Sequence, residues 1–267
     1  MKKILGIIVT YNPDIDKLLN NVIAIYREVD LLVLLDNNSE NQKKIAEVCE
    51  SVGVTYILEH KNIGLGKAYN KVLSKFSHLY KYFVTFDQDT FIPEKAIPSL
   101  TNILDKYNNI GAIGPQFSRG NAEINNNGKI VYKDVIIQSC AVFRSSLVNE
   151  IGGFDEEYFV DLTDFEYCLR IRKAKFKIAI FNGVLIYHEL GEVIKIGKRE
   201  IIIHNNLRNY YLARNHMKLC KKYFFNFPFF ILKLNYFYIL KLIEILFIEK
   251  NKLKMKYILK GILGKEY

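Results

Sequence analysis

Short apolar runs alternate with longer amphipathic stretches through the first 115 residues of the chain. Runs at 3–9, 31–35, 55–58, 82–86 and 111–113 have strand length. The stretches 15–27, 41–51, 66–76 and 94–107 read as amphipathic helices. Asn12-Pro13-Asp14 opens the first helix and Pro93 precedes the last, both sound start signals. This alternation predicts an α/β fold whose sheet is assembled from parallel βαβ units.

After Pro115 the rhythm changes. Residues 118–134 predict a long loop or hairpin, followed by a strand at 135–144, a short helix and the turn Gly152-Gly153-Phe154-Asp155. A helix near 161–173 leads to two short strands, 177–181 and 184–187, and the chain reads as helical from Glu200 onward. Within 223–248 the apolar sequence is interrupted by Asn226, Pro228, Lys233, Asn235, Lys241 and Glu244, so no spanning helix is expected. A polybasic segment with Lys250, Lys252, Lys254, Lys256 and Lys260 follows. That pairing predicts an interfacial anchor on an anionic membrane, the alternative being a core helix with a solvated tail. The expected organisation is a catalytic domain over 1–215 and an amphipathic, basic helical extension over 216–267.

Charge sharpens this division. Residues 1–194 carry 22 Lys and Arg against 24 Asp and Glu, whereas 195–267 carry 16 against 4. The basic excess therefore sits in the last quarter, where an anionic partner is expected. Half the residues are hydrophobic and only 5 are proline, which excludes extensive disorder. The 4 cysteines are widely spaced, which excludes a disulfide framework and fits a reducing cytoplasm.

In open α/β sheets, ligands gather at the carboxyl ends of the strands. Three polar clusters fall there: Thr10-Tyr11-Asn12, Asp36-Asn37-Asn38-Ser39 and Asp87-Gln88-Asp89. Asp36 could accept the imide N–H of a pyrimidine base with Tyr11 stacked on the ring, or the segment could be a capped turn. Asp87 and Asp89 offer paired hard oxygen ligands for Mg²⁺ or Mn²⁺. In Asn62-Ile63-Gly64-Leu65-Gly66, the glycines would let backbone amides approach a phosphate or ribose. Asp161 or Asp164, at the start of a helix, could deprotonate a hydroxyl or simply complement the helix dipole. His204, Arg208, Tyr211 and Asn215 share a helical face that could hold a diphosphate or be solvated.

Taken in order, these segments resemble family 2 glycosyltransferases of the GT-A fold, and more narrowly their bacterial rhamnosyltransferase-like branch. The carriers include Val9-Thr10-Tyr11-Asn12-Pro13, Asn62-x-Gly64-x-Gly66-x-Ala68-x-Asn70 and Phe86-Asp87-Gln88-Asp89-Thr90. They continue through Gly152-Gly153-Phe154-Asp155-Glu156, Phe159-Val160-Asp161-x-x-Asp164-x-Glu166 and Tyr187-His188-x-x-Gly191. The resemblance implies a Rossmann-like, mixed but mostly parallel sheet flanked by helices. It places Thr10, Tyr11, Asn12, Asp36, Asn62, Gly64, Asn70 and Asp87 at the donor, and Asp87, Asp89 and His188 at a Mg²⁺ or Mn²⁺ ion. Asp164 would be the catalytic base, with Asp161 its rival; Asp161 and Arg208 would lie near the diphosphate or acceptor. Thr163 stands where many members carry Glu, and Cys140 where a glycine is expected beside the acceptor.

The implied reaction is an inverting transfer from a nucleoside-diphosphate sugar to a hydroxyl of a lipid-linked or surface-polysaccharide acceptor. The branch favours dTDP-rhamnose, with UDP-sugars as the other donors, on the inner face of the cell membrane. A sugar nucleotidyltransferase would place a Gly-rich basic loop after the first strand, where Thr10-Tyr11-Asn12-Pro13 stands instead. A non-catalytic membrane- or polyanion-binding module would keep the basic charge. Acidic strand ends, however, repel nucleic acid, so no nucleic-acid partner is expected.

Overall fold

The computed structural model describes residues 2–118, 127–187, 193–196, 199–202, 204–249 and 251–267. Its first half follows the alternation of the sequence. The strands are β1 (Lys2–Thr10), β2 (Leu31–Asp36), β3 (Thr55–Leu58) and β4 (Tyr80–Phe86). Between and after them come the helices α1 (Ile15–Tyr26), α2 (Gln42–Val52), α3 (Leu65–Phe76) and α4 (Ala96–Lys106). α1 starts where it does because the Asp14 carboxylate accepts the Lys17 amide at 3.0 Å, satisfying one unpaired N–H of the first turn.

The second half supplies β5 (Ile110–Ser118), β6 (Ile130–Lys133), β7 (Ala141–Arg144), α5 (Ser146–Ile151), α6 (Thr163–Lys173) and β8 (Lys177–Tyr187). Eight strands form one sheet in the order β3-β2-β1-β4-β7-β5-β8-β6. β7 runs antiparallel to β4 and β5, and β6 antiparallel to β8; the remaining pairings are parallel. The sheet is thus mixed and mostly parallel, with β1 and β4 delivering Thr10 and Phe86 to the same edge. Alternation buries both faces. Ile4 and Ile8 of β1 pack with α1 and α4 on one side, while Leu5 and Ile7 pack with α3 and α6 on the other.

Three expectations change. The strand expected over 135–144 is only β7, because Cys140 turns the chain at φ 56°, a left-handed conformation. The two strands expected at 177–187 are the single β8, whose register against β5 slips between Pro115 and Gln116 and so absorbs the intervening residues. Residues after Glu200 do not begin a helix. β9 (Val193–Ile196) and β10 (Arg199–Ile202) pair antiparallel, as their Ile-rich sequence favours.

The helices α7 (Asn206–Tyr223), α8 (Pro228–Glu244) and α9 (Lys252–Ile262) complete the chain, with a π-helical turn, Ile245–Glu249, between the last two. α7 runs unbroken through residue 215, where the catalytic domain was expected to end. α9 packs closely on α7: a Cβ on Gly261 would lie 2.4 Å from the Tyr210 carbonyl oxygen.

Candidate active site

The carboxyl ends of β1 and β4, the turn before β7, and the starts of α6 and α7 enclose a cleft of about 690 Å³. Asp87, Asp89, Asp161, Asp164 and Arg208 line it, as do Lys17, Tyr69 and Gln138. Its size suits a small ligand held by a few convergent polar groups.

Gln138 ties the acids together. Its side-chain amide donates to Asp87 Oδ1 at 3.1 Å, and its backbone N–H donates to Asp164 Oδ2 at 3.2 Å. Asp164 Oδ1 also accepts the Phe165 N–H at 2.8 Å. Burial raises the Asp164 carboxyl from the usual 3.8 to about 7, the Asp87 and Asp161 charges add to this, and the two N–H donors oppose it. A carboxyl balanced near neutrality suits proton transfer. Tyr69 also lines the cleft, fully buried, with a hydroxyl that has no hydrogen-bond partner among the described residues.

Asp161 and Leu162 both hold positive φ, 61° and 62°, a strained pair immediately before α6. α7 holds them there. Asn215 donates to the carbonyls of Val160 and Asp161 at 2.7 and 2.9 Å, Tyr211 stacks on Phe159, and Arg208 pairs with Asp161 at 3.0 Å. Burial raises the Asp161 carboxyl, against the opposing Arg208 charge. Tyr211 and Asn215 of the expected helical face thus clasp residues 159–161, while Arg208 of the same face also lines the cleft. His204 precedes the Asn205 cap and lies outside that helix. Burial first, then nearby cations including Arg208, lowers its pKa to about 4.

Apart from Asp87, the residues expected at the donor stand outside this cleft's lining, and Asp36 and Asn12 are held in hydrogen bonds of their own. Asp36 is buried and accepts from the Ser39 amide at 3.0 Å, the Ser39 hydroxyl at 2.5 Å and the Tyr56 hydroxyl at 3.0 Å. Three bonds leave little acceptor capacity on the carboxylate. Asn12 bridges the first two strand ends, donating its N–H to Ser39 and accepting the Glu40 amide at 2.7 Å. Tyr11 is half exposed, while Thr10 is buried with its hydroxyl unpaired among the described residues. Asn62 accepts the Gly64 amide at 3.0 Å. Gly64 is required where it stands: its φ is 81°, and a Cβ would lie 2.6 Å from the Phe159 ring. Asn70 is turned to the Gly-Gly-Phe-Asp segment, accepting the Phe154 N–H at 2.7 Å and donating to the Phe154 carbonyl at 2.8 Å.

Asp87 and Asp89 both line the cleft, and Asp89 is exposed there. Among the described residues no group of three or more His, Cys, Asp or Glu side chains is placed to hold a metal ion, and His188 lies outside the described residues. Two carboxylates still suit Mg²⁺ or Mn²⁺, which commonly take one or two protein oxygens together with substrate phosphates. Sequence reasoning did not single out Gln138, Tyr69 or Lys17. Tyr69 sits inside the Asn62–Asn70 segment and could have been noticed; Gln138 meets Asp87 across 51 residues of sequence, without local signal.

The profile described as "Glycosyl transferase family 2" matches residues 7–169. Over 239 residues the chain is 29% identical to a Shigella flexneri protein named dTDP-rhamnosyl transferase RfbF, covering 82% of this chain and 80% of that one. Among solved structures, a mannosyltransferase from Pyrobaculum calidifontis in complex with GDP-Man and Mn²⁺ aligns with TM-score 0.63 at 17% identity. That alignment covers 83% of this chain but only 64% of the mannosyltransferase. Residues 1–349 of Staphylococcus aureus TarS align with TM-score 0.55 at 16% identity, covering 84% and 74%. These likenesses place the fold among GT-A glycosyltransferases.

Proposed function

The chain belongs to glycosyl transferase family 2, and on that premise we propose that it transfers rhamnose from dTDP-rhamnose, with inversion, to a hydroxyl of a lipid-linked or surface-polysaccharide glycan. The rhamnosyl donor draws its support from the Shigella relative; UDP-sugars are the competing donors. The acceptor's lipid would hold the enzyme on the inner face of the membrane.

One observation carries the reading: Asp164 lies in the same cleft as Asp87 and Asp89, with its carboxyl raised to about 7. Asp164 removes the proton from the acceptor hydroxyl as its oxygen attacks the anomeric carbon. The carbon–oxygen bond to the nucleoside diphosphate breaks on the opposite face. Asp87 and Asp89 would hold Mg²⁺ or Mn²⁺, whose charge stabilises the leaving diphosphate. Arg208 adds a cation at the cleft rim, and Tyr69 offers its unpaired hydroxyl to the bound sugar. Asp161, the rival base, also lines the cleft, and its pairing with Arg208 favours a positioning role.

A donor screen tests this. Purified protein with Mg²⁺ or Mn²⁺, membrane extract as acceptor and a panel of nucleotide sugars is assayed for released nucleoside diphosphate. Turnover of dTDP-rhamnose above all others is expected. Turnover of a UDP-sugar alone would replace the donor, and failure to bind any nucleotide sugar would remove the reading.

A further inference from the structure

The helical end of the molecule leaves apolar surface uncovered. Along the 17 residues of α8 only Ile231 is buried. Phe229 is 86% exposed, and Leu232, Tyr236, Phe237, Leu240 and Ile243 are each more than two-fifths exposed. Scattered apolar surface residues need no explanation, but a continuous set on one helix does. The patch continues through Leu246 and Phe247 of the π-helical turn into a groove of about 770 Å³ against α9.

That groove has a definite chemistry. Met255, Leu259 and Leu263 form one stripe along α9, and Lys252, Lys256 and Lys260 form a second stripe beside it. Lys265 closes the end, and among the described residues no carboxylate lines the groove. Lys254, by contrast, faces inward and pairs with Glu249. A greasy floor with a rim of unneutralised ammonium groups matches an amphiphile carrying an anionic head. A nucleic acid would leave the apolar floor unfilled. A second copy related by a two-fold axis would set this lysine rim against itself. Among the described residues no helix is long and apolar enough to cross a membrane, so a bilayer would be met from one side.

We propose that the groove between the π-helical turn and α9 binds the phosphate head and upper acyl chain of an anionic phospholipid, making the α8–α9 face the membrane-docking surface. This deepens the reading of a lipid-linked acceptor and rests on it for its purpose, although the binding itself does not require catalysis. The lysine rim holds headgroups, while Phe229, Tyr236, Phe237 and Phe247 enter the interface, where aromatic rings are favoured.

Co-sedimentation with vesicles of phosphatidylcholine alone, or containing phosphatidylglycerol, tests this without any sugar donor. Binding only to the anionic vesicles is expected. The triple variant K252Q/K256Q/K260Q should weaken it by about 100-fold, from roughly fivefold per lysine, with an unchanged melting temperature. A second variant, Phe247→Ser, should weaken binding to the same vesicles while leaving all the lysines in place. Equal binding to both vesicle types, or an unaffected triple variant, overturns the proposal. So does a concentration-dependent dimer that binds no vesicle, which would assign the face to a second copy. Failure here leaves donor turnover untouched, so the two readings are separated.

Discussion

The sheet and the terminal helices are both rich in apolar residues, yet they spend them differently. Every apolar side chain of β1 and β2 packs into one of the two covered faces of the sheet. α8 is as apolar as a core helix but buries one residue. The polar groups divide the same way. In the cleft, Asp164 is hydrogen-bonded and held near neutrality and Asp161 is paired with Arg208, whereas the lysines of α9 stand on an open rim. Hydrophobicity in the sequence therefore states how much surface wants cover, while the contacts state whether the chain itself supplies it.

If the two regions do different work, substitutions in one should leave the other's activity intact. Asp164→Asn should lower turnover by about 10²–10⁴-fold without changing vesicle binding. Arg208→Ala comes next, with a loss of roughly 10–100-fold in nucleoside diphosphate release, since it removes a charged hydrogen-bonding group from the cleft. Asn215→Ala removes both bonds to residues 160 and 161; it should cost about 1–3 kcal/mol in denaturant unfolding and lower kcat with it. Phe229→Ser, on the exposed face, should change folding stability by no more than about 0.5 kcal/mol. A core-sized loss there would show that the face is covered in the folded protein and would break the comparison.

Much of this was legible in the sequence. Apolar runs that stop at Thr10-Tyr11-Asn12, Asp36 and Asp87 mark strand ends, because a buried strand cannot carry polar side chains without partners. The Asp161–Asp164 spacing marks the start of α6. What was hidden depends on distant contacts. Nothing near Gln138 announces that it will join Asp87 to Asp164, and nothing in α7 announces that Asn215 will hold a strained Asp161. In the His204–Asn215 face, the period held from Arg208 onward, but His204 precedes the Asn205 cap, and the contacts of Tyr211 and Asn215 with residues 159–161 had no local signal. The isoleucines at 201 and 202 were absorbed into a helical reading, although their β-branched character fits the strand β10 that pairs with β9.

The pH dependence of Asp164 tests the central claim. With its folded pKa raised to about 7, the fold favours the neutral carboxyl. Its contribution to stability is full below the usual value of 3.8 and is lost as pH rises through about 7. A base must be ionised, so activity runs the other way. The measurement is kcat/KM for donor turnover from about pH 5 to about pH 9, wild type beside Asp164→Asn, with thermal melting followed over the same range. The expected result is a wild-type limb rising through about 7 while stability falls, with both trends lost in the variant. A variant that keeps wild-type turnover and the same rising limb would contradict it and move the base to another carboxylate.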